Sequence, residues 1–236
     1  LLQIENEFYS TIRPKRTALE SETPLQALEN RGIEYIEVRC LDVNPLIPCG
    51  IDATTIRFID VFLLFCLLNE SPDTDSMENQ QIPENVMRTV YNGRNPSLIL
   101  SSIQGDRAMF EWGTELVRDM LPIAELLDQA HAKSNTGNPF QGALATMRER
   151  LKNPQATPSA MLLKEMQDNN ETYFAMAMRK TLQQCDYFLN APLDGKTIKK
   201  YNDLAIESHT KQAAIEASDK LSFDEFLANY WQSSLR

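Results

Sequence analysis

The sequence predicts an α+β fold, with antiparallel strands near the N-terminus followed by a mainly helical region. Two observations predict it. Two short strand-like segments flank a compact, well-capped helix within the first 45 residues. From Asp52 onward, apolar residues recur at helical spacing and the cap signatures of helices repeat. The expected division is a strand-rich part over residues 1–50 and a helical region over 51–236 packed on it.

The first strand is read from Ile4 to Ile12, running into a basic turn at Arg13-Pro14-Lys15-Arg16. Pro14 has no N–H to donate and fits an edge or a strand exit. Thr23-Pro24 then opens a helix, with a capping residue followed by a proline whose missing N–H costs nothing at that position. Gln26 completes a capping box, Leu25 and Leu28 share a face, and Gly32 supplies the left-handed residue at the end. The second strand is read over Gly32 to Asp42. Pairing of the two strands would bring Tyr9 and Arg13 near Glu37 and Arg39.

Side chains alternate along a strand, so Tyr35, Glu37 and Arg39 project from one side. A carboxylate and a guanidinium two residues apart suit a site that holds a divalent cation beside a phosphate. A structural ion pair at a sheet edge would leave the same pattern. The cations Arg13, Lys15 and Arg16 would attract an anion, or else form a solvated basic loop.

The strings Asn6-Glu7-Phe8-Tyr9-Ser10-Thr11-Ile12-Arg13-Pro14-Lys15-Arg16 and Arg31-Gly32-Ile33-Glu34-Tyr35-Ile36-Glu37-Val38-Arg39-Cys40-Leu41-Asp42-Val43-Asn44-Pro45 resemble the proteobacterial type of glutamate–cysteine ligase. The likeness continues through Gly50, Asp52, Arg57, Phe58 and Asp60, and again at Gly93-Arg94-Asn95-Pro96. The resemblance implies a glutamine-synthetase-like antiparallel sheet. It also implies an ATP-dependent ligase that joins the γ-carboxyl of glutamate to the amine of cysteine through an acyl phosphate. It implies Glu37 as a metal ligand, for Mg2+ or Mn2+, and Arg39 as the catalytic cation on the phosphate side. Tyr9 resembles a substrate-pocket residue. Arg13 and Lys15 are expected at the bound anion on physical grounds, with Arg16 and Ser10 as lesser candidates. Members of this family are roughly twice as long, with these motifs past their middle. The chain is therefore expected to be the C-terminal part, partnered by an N-terminal half that supplies further metal ligands.

Composition fits a cytoplasmic protein with a core. The hydrophobic share is 42%, and 33 acidic against 23 basic residues give a net charge of −10. That balance disfavours a nucleic-acid binder. The longest apolar run, Val61 to Leu68, is too short to span a bilayer. Cys40, Cys49, Cys66 and Cys185 read as reduced, mostly buried thiols, with a Cys40–Cys49 disulfide as the alternative. His131 and His209 fall on helix surfaces and make no zinc site.

In the helical region, Asp52 or Thr54 caps a helix through Asn69 whose core stripe is Ile56, Ile59, Phe62, Leu63, Cys66 and Leu67. Arg57 and Asp60 read as a local pair. A loop over Glu70–Gln81, a helix over Glu84–Tyr91, a turn at Asn92–Pro96 and a strand within Ser97–Ile103 follow. Further helices are expected over 113–132, 140–151, 158–168, 171–189, 198–220 and 223–233, with a linker over Lys133–Pro139. The scattered methionines Met161, Met166, Met176 and Met178 read as gap-fillers or surface residues.

Overall fold

The computed structural model describes residues 9–19, 22–133 and 136–234, with side chains through 232. The first part of the expected opening strand, residues 4 to 8, lies outside the described residues, as do positions 134 and 135 of the expected linker. The chain divides into two compact units. One comprises the residues up to Asp42 together with those from Asn190 onward; the other is Val43–Leu189.

The first unit holds a two-stranded antiparallel ribbon of β1 (Ile12–Lys15) and β2 (Tyr35–Val38), joined through helix α1 (Pro24–Arg31). The cap signals act as expected. Thr23 accepts the Gln26 N–H, and the Gln26 side chain accepts the Thr23 N–H at 3.0 Å. Gly32 leaves the helix at a φ of 72°, a region that favours glycine. The basic residues differ from expectation. Arg13 and Lys15 are not in a turn but form the strand itself, and Pro14 stands opposite Ile36. A two-stranded ribbon leaves one side of each strand unpaired, so a missing N–H is tolerated there.

The second unit opens on a tight turn. Asn44 donates its N–H to Gly50 O, and a Cβ at Gly50 would come within 2.7 Å of a Val43 methyl carbon. Asp52 then caps helix α2 (Ala53–Leu68) by accepting the Thr55 N–H at 2.7 Å. Helix α3 (Ser76–Asn92) starts well before the expected position, because Asp75 accepts two N–H groups, from Met77 and Glu78, and so caps it. Strands β3 (Ile99–Leu100) and β4 (Arg107–Ala108) make a small antiparallel hairpin.

One long helix expected over 113–132 is two: α4 (Met109–Asp119) and α5 (Leu121–Ala130). Pro122 has no N–H for a continuing ladder and sits in the first turn of the new helix. Helices α6 (Pro139–Lys152), α7 (Pro158–Asp168) and α8 (Tyr173–Leu189) complete this unit. The first unit resumes with α9 (Gly195–Ser218) and α10 (Phe223–Ser234). Ser222 and Glu225 form the expected capping box of α10.

The core of the second unit joins Val61, Val117, Met120, Ala124, Phe140 and Leu144, from α2, α4, α5 and α6. Phe58, Phe62 and Phe65 of α2 pack against it. The expected core stripe of α2 is therefore rotated: Ile56 is exposed and Leu67 is 77% exposed. α2 is apolar on nearly every side, so periodicity could not choose its inner face. The same rotation leaves Cys66 exposed. All four cysteines are free and exposed, against the expectation of mostly buried thiols. Of the methionines, Met176 is fully buried, while Met161 and Met178 are exposed.

Polar groups lock the helices of this unit. Buried Asp128 accepts the Phe140 N–H at 2.9 Å and the Gln141 N–H at 3.1 Å, and so caps α6 from the end of α5. Arg179 of α8 forks onto Glu171 at 2.8 and 2.7 Å and reaches Glu165 of α7 at 3.0 Å. Lys180 pairs with Glu165 at 2.8 Å. Among the described residues, no helix is long and apolar enough to cross a membrane.

Candidate functional site

The register of the ribbon builds the candidate site. Arg13 stands directly opposite Glu37, and Lys15 opposite Tyr35. Alternation therefore places Arg13, Lys15, Tyr35, Glu37 and Arg39 on one face. Arg39 lies just beyond β2, but its N–H donates to Thr11 O at 2.8 Å, which continues the pairing by one step. The opposite face carries Ile12, Pro14, Ile36 and Val38.

On the polar face, Arg39 donates to both oxygens of Glu37, from Nε at 2.9 Å and from Nη2 at 3.0 Å. Lys15 Nζ lies 3.3 Å from Glu37 Oε2, one step diagonally across the ladder. The Arg39 guanidinium carbon sits 5.2 Å from the centre of the Tyr9 ring, within cation–π range. The hydrogen bonds from Arg39, with a further contribution from Lys15, hold the Glu37 carboxyl below its ordinary pKa, against the opposing effect of its partial desolvation. Glu37 in turn raises that of Arg39. Among the described residues Arg13 makes no ion pair, so it is the cation on this face without a carboxylate partner.

All five candidates that the sequence singled out for the site thus gather at one ribbon: Tyr9, Arg13, Lys15, Glu37 and Arg39. The lesser candidates do not join them. Arg16 turns to the other side of the ribbon, where its Nε is 3.9 Å from Glu34. Glu34 also accepts the Thr17 N–H at 3.0 Å. The Ser10 hydroxyl donates to Ile12 O and is tied to the backbone. Sequence reasoning did not find the Lys15–Glu37 pair. Strand alternation alone gives faces, and only the register says that Lys15 falls one step from Glu37.

Three cations around one carboxylate suit a polyanion held by planar forks and point charges. The carboxylate is also a hard oxygen donor of the kind magnesium accepts. Among the described residues, no three His, Cys, Asp or Glu side chains come together as a metal cluster. His209 lies on the surface of α9, as expected, whereas His131 is the C-cap residue of α5, in the turn that follows the helix.

The ribbon lies inside the segment that matches a known family. Residues 1–89 match the glutamate–cysteine ligase family model. Relatives extend the likeness over the whole chain: the glutamate–cysteine ligase of Alcanivorax borkumensis is 43% identical over 231 residues, which is 98% of this chain. The chain belongs to the glutamate–cysteine ligase family. The enzyme of Pseudomonas entomophila is 41% identical over 235 residues, which is 100% of this chain. A crystal structure of glutamate–cysteine ligase from Francisella tularensis, in complex with AMP, superposes with a TM-score of 0.86 at 30% identity over 99% of this chain. The chain spans 43% and 44% of the length of these two curated ligases and 45% of the ligase in the crystal structure. The expected α+β fold, with its small antiparallel sheet ahead of a helical region, holds.

Proposed function

We propose that this chain is part of an ATP-dependent ligase that joins the γ-carboxyl of L-glutamate to the amine of L-cysteine, the first step of glutathione biosynthesis, in the cytoplasm. The observation that carries the reading is the one-sided cluster of Arg13, Lys15, Glu37 and Arg39, on a ribbon inside the family-matched segment. The AMP bound to the Francisella tularensis ligase supports a nucleotide as one ligand.

In this reading the terminal phosphate of ATP passes to the glutamate γ-carboxylate. The resulting acyl phosphate is opened by the cysteine amine, with release of phosphate. Arg39 is the catalytic cation that offsets charge on the transferred phosphoryl group. Arg13 and Lys15 hold phosphate oxygens, and Tyr9 contributes to the substrate pocket from beside Arg39. Glu37 supplies one carboxylate ligand to magnesium or manganese. A bound divalent cation would neutralise phosphate oxygens and help orient them. Residues 1–50 serve as the strand-rich part of the catalytic sheet, and residues 51–236 as the mainly helical region.

The polypeptide that accounts for the rest of the relatives' length, the N-terminal half in this reading, is the partner that completes the metal shell. Two apolar surfaces support such a partner. The outer face of the ribbon leaves Ile12 and Ile36 exposed, and α8 leaves Phe174, Met178, Leu182 and Leu189 exposed along one stripe. Among the described residues Glu37 is the one carboxylate on the polar face of the ribbon, which favours a second reading, a non-catalytic helical piece that folds or acts only with the N-terminal half.

One comparison separates the two readings. γ-Glutamylcysteine formation and magnesium–ATP binding are measured for the chain alone and after addition of the N-terminal half of a family member. The proposal expects no turnover and weak nucleotide binding alone, because one carboxylate cannot fill the several oxygen positions a magnesium ion takes. It expects turnover on mixing, and loss of that turnover with Arg39→Met. A mixture that turns over equally well with Arg39→Met assigns this chain the non-catalytic role.

A further inference from the structure

We infer that Tyr35 is the residue on which the base of a bound nucleotide stacks. The inference rests on the reading of this face as a nucleotide-phosphate site. Tyr35 shares the polar face of the ribbon with Glu37 and Arg39, directly opposite Lys15. Its backbone is held there. The Glu34 N–H donates to Lys15 O at 2.9 Å, so the pairing runs on past Tyr35. Arg13, Lys15, Glu37 and Arg39 form a row of half-buried charges, and Tyr35 stands at the end of that row, 52% exposed. Among the described residues no other ring and no cation packs on the Tyr35 ring.

The charges set the direction of the ligand. Three cations against one carboxylate leave the face net positive, which draws phosphates to it. In the proposed function Arg39, at one end of the row, meets the transferred phosphoryl group. Phosphates gripped there run along the ribbon past Arg13 and Lys15. The base then emerges at the Lys15–Tyr35 step, about 13 Å from Arg39 along the strand. An extended nucleoside triphosphate covers that distance between its terminal phosphate and its base. Tyr9 cannot take the base in this orientation. It lies at the Arg39 end, where the guanidinium carbon is 5.2 Å from its ring centre. A phenol ring offers a flat π face, and every nucleobase has one, so stacking on Tyr35 adds affinity without reading the base edge.

The 236-residue chain tests this with ATP in the presence of a chelator, followed by ligand-observed nuclear magnetic resonance, which detects weak complexes. Saturation transferred to the adenine H2 and H8 protons reports the base end, and broadening of the phosphorus-31 signals reports the phosphate end. Both should respond with the unaltered chain. Tyr35→Leu keeps apolar bulk but has no π face. It should weaken ATP binding by about tenfold and strip the transfer to adenine, while inorganic triphosphate binds as before. Tyr35→Phe keeps the ring and should bind ATP as the unaltered chain does. GTP should lose as much as ATP in Tyr35→Leu.

Phosphorus broadening without transfer to adenine, or full ATP affinity in Tyr35→Leu, would overturn the stacking assignment and leave the phosphate reading intact. Equal losses of ATP and triphosphate in Tyr35→Leu would make Tyr35 a support of the ribbon instead. A loss in Tyr35→Phe as large as that in Tyr35→Leu would put the hydroxyl, not the ring, in the contact, and so also overturn the assignment. If ATP broadens no phosphorus signal up to millimolar concentration, the phosphate reading falls and the inference with it.

Discussion

Glu37 and Arg39, two residues apart along one edge of the ribbon, are joined by a pair of parallel hydrogen bonds of 2.9 and 3.0 Å. The i, i+2 spacing puts both side chains on one face, and the guanidinium fork matches the carboxylate plane. The pair is half-exposed, and such pairs contribute little to stability.

In the proposed ligase reading, Glu37→Gln, measured with the N-terminal half of a family member added, should abolish most magnesium-dependent turnover while leaving the melting temperature nearly unchanged. Turnover and thermal unfolding are measured on the same preparation. Ordinary turnover with a lowered melting temperature would make Glu37 a purely structural ion-pair residue.

Arg39→Lys keeps the charge but loses the planar fork and the stacking on Tyr9. The expected loss of rate is roughly 10²–10³, by analogy with removal of a single transition-state donor. Steady-state kinetics on the completed enzyme check it. Full activity with lysine would show that the fork is not needed.

Asp128→Ala should destabilise the helical unit by about 1–3 kcal/mol, because two N–H groups at the start of α6 lose their buried acceptor. Denaturant unfolding followed by circular dichroism reads this directly. Asp128→Asn, which keeps one acceptor oxygen, should recover part of the loss.

The cluster of Glu165, Glu171, Arg179 and Lys180 predicts a pH dependence. Lys180, then Arg179, hold Glu165 below its ordinary pKa, and Arg179 does so for Glu171. A carboxyl depressed in the folded state stabilises fully above its unfolded pKa, about 4.3 for Glu. That contribution is lost as the pH falls through the folded value. Melting temperatures taken from pH 7 down to pH 3 should therefore drop at the acid end. The drop should shrink in the Glu165→Gln, Glu171→Gln double variant.

The inner face of α2 gives a test of packing. Met120→Ala, opposite that face, should cost about 2–5 kcal/mol. Leu67→Ala, on the exposed side, should change the stability of this chain by less than about 0.5 kcal/mol. Equal losses would mean that both sides of α2 are core.

Local signals were legible in the sequence wherever a few neighbouring residues decide the outcome. Thr23-Pro24, Asp52, Thr157-Pro158 and Ser222 each start a helix where their side chains satisfy free N–H groups. The start of α3 was misread because Pro72, Asp73 and Asp75 suggest a loop, and Asp75 serves equally as a cap. The break between α4 and α5 does not show in the apolar spacing, which runs on through Met120 past Pro122.

The sequence by itself determined the α+β order, the two strand segments on either side of a capped helix, and the face shared by Glu37 and Arg39. Those follow from side-chain alternation and cap chemistry, which act over a few residues. Only the tertiary structure decided that Lys15 lies a diagonal step from Glu37, that Tyr9 rests against Arg39, that Arg16 pairs elsewhere with Glu34, and that α2 buries Val61 rather than Leu67. The reason is physical. Register is set by the whole ribbon, and the inner face of a helix apolar on nearly every side is set by the neighbours it packs against, so neither is encoded in the spacing of any single segment.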